Sequence, residues 1–164
     1  MIHEIAVQEA TRISGGWSRA AIVAGGLVAG TVDIGAAALI NGVSPAFIVR
    51  FVAGGVLGKD ALAGGVEVAI LGIALQLAMS LIIAGIYVVA ARRISSLRRH
   101  WIVAGLAYGV GVFVVMNYVV VPLSAWSRWP RFTPASFAWN MLAMLLFGAI
   151  VAFFARRMNA ASPH

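Results

Sequence analysis

The sequence predicts an all-α integral membrane protein: a four-transmembrane-helix bundle of two helical hairpins, with a short re-entrant or interfacial helix between the first and second helices. Three observations predict it. Apolar residues fill 62% of the 164 positions and charged residues only 10%; a soluble domain carries about 25% charged residues, so this chain lacks the polar groups to cover a water-facing surface. Four apolar stretches, at about 20–41, 64–91, 101–122 and 135–155, are each long enough to cross the ~30 Å hydrocarbon layer of a bilayer. The charges cluster at the ends of those stretches. The stretches leave no room for a separate soluble domain, so residues 1–164 read as one polytopic membrane domain.

The basic residues set the expected topology. Arg12, Arg19, Arg92, Arg93, Arg98, Arg99, Arg156 and Arg157 lie on one side if both termini are cytoplasmic, and Arg50, Lys59, Arg128 and Arg131 on the other. That bias favours N-in, C-in with an even number of spans. The net charge of +7 therefore reflects topology. It forms no basic stripe interleaved with aromatics, so no nucleic-acid partner is expected. The expected location is a bacterial inner membrane, with lipids as the first partners and a homo-oligomer or membrane complex as a further one.

Residues 1–19 are mixed, with Ile2, Ile5 and Ile13 among Glu4, Gln8, Glu9 and Arg12. They read as a surface-lying helix or an unordered segment, and Trp17 and Arg19 mark the start of the first span. Arg12 and Arg19 ahead of an apolar run resemble a cleavable signal, but the run of ~20 residues exceeds the 7–15 of a signal core, so it is read as a span. Ser44-Pro45 is an N-cap followed by proline at the first helical position. The helix it opens, about 45–58, reaches only ~20 Å, too short to cross. Gly54-Gly55 is expected to break it and Gly58 to end it.

The second span ends at Arg92-Arg93, and a short basic turn leads to Trp101. The third is expected to stop before Pro122, where the ring cannot continue a helix. Trp126 and Trp129 in the following loop fit an interfacial belt. Thr133-Pro134 repeats the cap-and-proline device and opens the fourth span. Ile22-Val23-Ala24-Gly25 and Ile102-Val103-Ala104-Gly105, with the closing Ala91-Arg92-Arg93 and Ala155-Arg156-Arg157, outline a faint repeat that aligns Gln76 with Asn140.

Asp33 is the one carboxylate inside an unbroken apolar stretch. A charge there costs roughly 2.5–3.5 kcal/mol on insertion scales, so it faces a bundle interior or a polar cavity. It lies about seven residues, ~10 Å, inside the outer end of its span. Asn41, Glu67, Gln76, Asn117 and Asn140 also fall in outer halves or near the midplane, whereas the cytoplasmic halves are apolar or small apart from Tyr87 and Tyr108. This asymmetry points to a polar pocket open to the outside, with Asp33, Asn41, Arg50, Glu67, Gln76, Asn117 and Asn140 as candidate ligand- or ion-binding residues. The plainer alternative makes the amides interhelical glue and pairs Asp33 with Arg50. Gly26 and Gly30, and Gly105 and Gly109, form small-xxx-small faces suited to close helix packing. Gly26, Gly30, Asp33 and Ala37 share one helix face, which turns the acid toward the packed side.

Several chemistries lack their residues. There is no cysteine, no histidine within a span, no HExxH, no P-loop or dinucleotide fingerprint, and no close carboxylate pair in a span. No catalytic residue, metal site or cofactor is expected, and the chain is read as a non-enzyme. Gly30-Thr31-Val32-Asp33, Gly54-Gly55-Val56-Leu57-Gly58, Gly105-Leu106-Ala107-Tyr108-Gly109 and above all Met116-Asn117-Tyr118-Val119-Val120-Val121-Pro122-Leu123-Ser124 resemble a bacterial family of uncharacterised four-span inner-membrane proteins. The resemblance covers roughly 24–157, implies four helices in a bacterial inner membrane, and carries no activity. The expected function is a binding or accessory membrane component with an outward-facing polar pocket. The alternative is a small proton- or ion-coupled transporter using Asp33.

Overall fold

The computed structural model describes residues 2–160, with side chains described for residues 18–157. Every regular element among them is helical. Helix α1 runs Ile2–Asn41 as one 40-residue rod, so the segment before Arg19 continues the first span instead of lying apart from it. No proline interrupts it, and Gly15-Gly16 cost only about 1 kcal/mol each against propagation from the helix that follows. The expected interface role of Trp17 lies outside the described side chains. Helix α1 ends at Asn41, and Gly42 turns the chain with φ 62°.

Ser44 Oγ accepts the Phe47 N–H at 3.2 Å and starts α2, Pro45–Leu57. Gly54-Gly55 do not break this helix. The Trp126 ring occupies the place where a β-carbon on Gly54 would stand, its Nε1–H donates to Phe51 O at 3.0 Å, and Ala125 N–H donates to Gly55 O at 2.8 Å. Phe51 and Trp126 stack at 4.6 Å, with the Arg128 guanidinium 4.9 Å from the Phe51 ring. The loop after the third span thus clamps α2. Trp126→Ala should lower stability by about 3 kcal/mol and Trp126→Phe, which keeps the stack, by only about 1 kcal/mol. Thermal unfolding in detergent reads the difference, and equal losses would contradict the clamp.

Gly58, with φ 78°, ends α2, and a 3-10 turn over Lys59–Ala63 leads to α3, Val66–Arg93. The short α4, Ser95–Arg99, joins it to α5, Trp101–Val115. The third span does not stop before Pro122. A π-helical turn over Met116–Val120 follows α5, and α6, Val121–Leu123, carries the proline. Val121 N–H reaches back to Met116 O, and this wider turn accommodates a ring that an α-helical interior excludes. Helix α7, Pro134–Ala160, opens on a reciprocal cap: Ser136 N–H donates to Thr133 Oγ1 at 3.1 Å, and Thr133 N–H to Ser136 Oγ at 2.9 Å.

Four segments are long and apolar enough to cross a membrane: Ser18–Asn41, Val66–Arg93, Trp101–Leu123 and Pro134–Arg157. Helix α1 packs between α3 and α7, α7 between α1 and α5, and α2 lies on α3. The core gathers Ala21, Ala29, Ala84, Val88, Phe147 and Val151, reaching from the arginine-bearing end up to the middle of the bundle. Small residues let the backbones approach. Gly26 lies on Leu81, Gly30 on Ser80, and Gly105 on Ala152, while Gly109 and Gly148 meet across the α5–α7 seam. Outward-facing Val66, Ile82, Ile86 and Val103 are all more than half exposed, an exterior that hydrocarbon solvates better than water.

Candidate functional site

The register between α1 and α3 places the acid. The two helices run antiparallel, Gly26 on Leu81 and Gly30 on Ser80, so the next turn sets Asp33 opposite Gln76. Gln76 Nε2–H donates to Asp33 Oδ2 at 2.9 Å. The alternative pairing of Asp33 with Arg50 is not formed among the described residues. The amide is the nearer partner because it shares the packed α1–α3 seam, whereas Arg50 belongs to α2, whose Val49 backbone sits on Gly72. The buried Arg50 Nε makes no hydrogen bond among the described residues.

Asp33 borders a cavity of about 90 Å³ lined by residues of all four long segments. Its polar lining comprises Asp33, Gln76, Ser80, Asn117 and Asn140. Three methionines, Met79, Met116 and Met144, with Phe113 and Phe147, supply much of the apolar wall. Among the described residues Asp33 is the only titratable side chain in that lining. Four of the residues expected at a pocket, Asp33, Gln76, Asn117 and Asn140, therefore converge. Asn41, Arg50 and Glu67 do not line it. Asn41 Nδ2–H donates to Ala37 O at 2.8 Å on an exposed helix end, and Glu67 stands exposed in the first turn of α3.

Ser80 also lines the cavity, although little in its sequence context singles it out. It lies one turn beyond Gln76 on the same face, and i, i+4 spacing from a named polar residue was the one available signal. Its hydroxyl donates to Gln76 O at 2.8 Å. The π turn contributes Met116 and Asn117, and Asn117 Nδ2–H donates to Phe113 O at 2.9 Å. Asn140 Nδ2–H donates to Ser136 O at 2.7 Å.

Toward the arginine-bearing end a tyrosine pair closes the interior. Tyr87 and Tyr108 meet at 5.1 Å between ring centres, and Tyr108 O–H donates to Ile83 O at 2.7 Å. Ile83 itself lines the cavity, so the tyrosines stand directly beneath it. Toward the other end Phe113, Phe132 and Phe137 form an aromatic cluster with centroids 5.4–5.9 Å apart.

The arrangement can hold a small polar ligand or ion. One neutral amide bond to a carboxylate is worth about 1.5–3 kcal/mol, at most comparable with the roughly 2.5–3.5 kcal/mol that burying the charge among apolar helices costs. An ionised Asp33 thus gains from any further positive charge the cavity admits. No groups of three or more His, Cys, Asp or Glu able to hold a metal occur among the described residues. Comparison with protein-family models, curated proteins and solved structures returns no match.

Proposed function

We propose that the chain is a small bacterial inner-membrane protein, non-enzymatic, that binds a small polar ligand in the Asp33 cavity as a sensing or accessory component. One observation carries this reading: polar side chains from the other three long segments line the same cavity as a single interior carboxylate. The charge bias supports cytoplasmic termini, which turns the cavity end of the bundle to the outside. Coupled transport through Asp33 is a second reading. It is favoured by the wall beneath the cavity, which consists of tyrosine side chains between α3 and α5 instead of close backbone contact.

The chain has no cysteine, so a single introduced thiol is the only target for a thiol reagent. In inverted and right-side-out vesicles, Asn140→Cys should react with a small water-soluble methanethiosulfonate added from outside and stay protected from inside. Protection from both sides would reject a hydrated outward-facing pocket. Ala104→Cys, one turn below Tyr108 on α5, separates the two readings. Full protection rejects transport, and labelling from the cytoplasmic side supports it.

A further inference from the structure

Resting on the binding reading of this cavity, we propose that its ligand is a hard monovalent metal cation, sodium above all, held by the Asp33 carboxylate and the side-chain carbonyl oxygens of Gln76, Asn117 and Asn140. Hydrogen-bond accounting carries the assignment. A backbone carbonyl only accepts, so the bonds of Asn117 to Phe113 O and of Asn140 to Ser136 O must be made by the amide nitrogens. Gln76 likewise turns its nitrogen to a carboxylate oxygen, and Ser80 commits its one proton to Gln76 O. Every observed bond of these four side chains uses the donor end. They have carbonyl oxygens and hydroxyl lone pairs left to offer, beside a carboxylate with one oxygen outside the Gln76 bond.

Such a lining selects its occupant by charge and by donor type. Among the described residues no Lys, Arg or His borders the cavity, so nothing in that lining favours an anion. A divalent ion would leave one positive charge against a single carboxylate in a low-dielectric interior, and calcium draws 6–8 oxygens, several of them from carboxylates. A monovalent ion balances Asp33 one to one. Carboxylate and carbonyl oxygens suit a hard cation, and a volume of about 90 Å³ admits one such ion with a few waters. The methionine thioethers favour a soft ion instead, but flexible methionines are also common core fillers, whereas the oxygens are fixed in place by the bonds just described.

The test is thermal unfolding of the full chain in detergent, with NaCl exchanged for choline chloride at constant ionic strength and pH. Sodium should raise the midpoint saturably, by about 5 °C or more well above the dissociation constant, and Asp33→Asn should abolish the rise. A rise of equal size in Asp33→Asn overturns the proposal, as does stabilisation by silver ion without sodium. If Asp33→Asn does not fold, Asn140→Asp decides. Its second carboxylate should create a calcium-dependent rise that the wild type lacks, and no such rise overturns the assignment. If sodium leaves the wild type unchanged while Asn140→Cys still labels from outside, the cation is wrong and the outward-facing pocket stands. If labelling also fails, both fall.

Discussion

Gly148→Leu is expected to prevent the chain from folding as a stable bundle. Even a β-carbon on Gly148 would overlap the carbonyl oxygen of Gly105 and come within 2.7 Å of the Gly109 nitrogen. Both are backbone atoms of α5, so no rotamer change relieves the clash, and α5 and α7 must separate along their length. Gly109 faces the reciprocal constraint, its missing β-carbon lying against Met144 O and 3.0 Å from the Leu145 Cα. Overpacking a tight core costs about 1–3 kcal/mol for a few added atoms, and a leucine in a backbone-to-backbone seam exceeds that range. Loss of the monodisperse peak in detergent size exclusion is the expected readout. Gly111→Leu is the matched control, because a β-carbon there meets nothing within 4 Å. Equal behaviour of the two variants would show that the α5–α7 seam is not closed by its glycines.

Gly72→Val should act locally, freeing α2 while the four long helices stay assembled. A β-carbon at position 72 overlaps the Val49 carbonyl and comes within 3.2 Å of the Val49 Cα. The backbone of α2 therefore rests directly on α3, and a branched side chain must lift it off. The lost packing is expected to lower overall stability by about 2 kcal/mol. Hydrogen exchange should rise by at least tenfold across residues 45–57 and stay near wild type in α5 and α7. Gly35→Val, where a β-carbon meets nothing within 4 Å, should leave both measurements unchanged. Unaltered exchange in Gly72→Val would mean that the Trp126 clamp alone holds α2.

The four long helices were legible because apolar runs of bilayer length, flanked by arginines, suit almost no soluble architecture; the structure moves most of their limits by only a few residues but carries the first helix back to Ile2. Misread points share a physical cause. Pro122 reads as a helix end because an α-helical turn cannot hold it; the π turn over Met116–Val120 that does hold it leaves no mark in the sequence. Gly54-Gly55 reads as a break because the indole that fills the gap comes from a loop some seventy residues away. Within the site, Asp33, Gln76, Asn117 and Asn140 stand out as polar groups at similar depth in apolar segments, and the cavity gathers them. Arg50, Asn41 and Glu67 lie near helix ends, where depth no longer constrains a polar side chain. Helices that are apolar on every side also hide their phase, so only the glycine face of α1 pointed Asp33 toward a particular neighbour. Ser80 stayed unremarked because a serine bonding back along its own helix is quiet in an apolar segment.

The tyrosine pair beneath the cavity makes one edge of the bundle unlike the others. The α1–α3, α1–α7 and α5–α7 edges close through glycine and alanine with main chains pressed together, and an edge of that kind widens only if whole helices move. The α3–α5 edge closes through two rings, where the Tyr87 hydroxyl makes no hydrogen bond among the described residues and Tyr108 holds one carbonyl. Opening such an edge needs two side chains to turn, whereas parting packed main chains needs whole helices to shift. The bundle thus has three edges shut by main chain and one shut by side chains alone, and that one lies beneath the cavity.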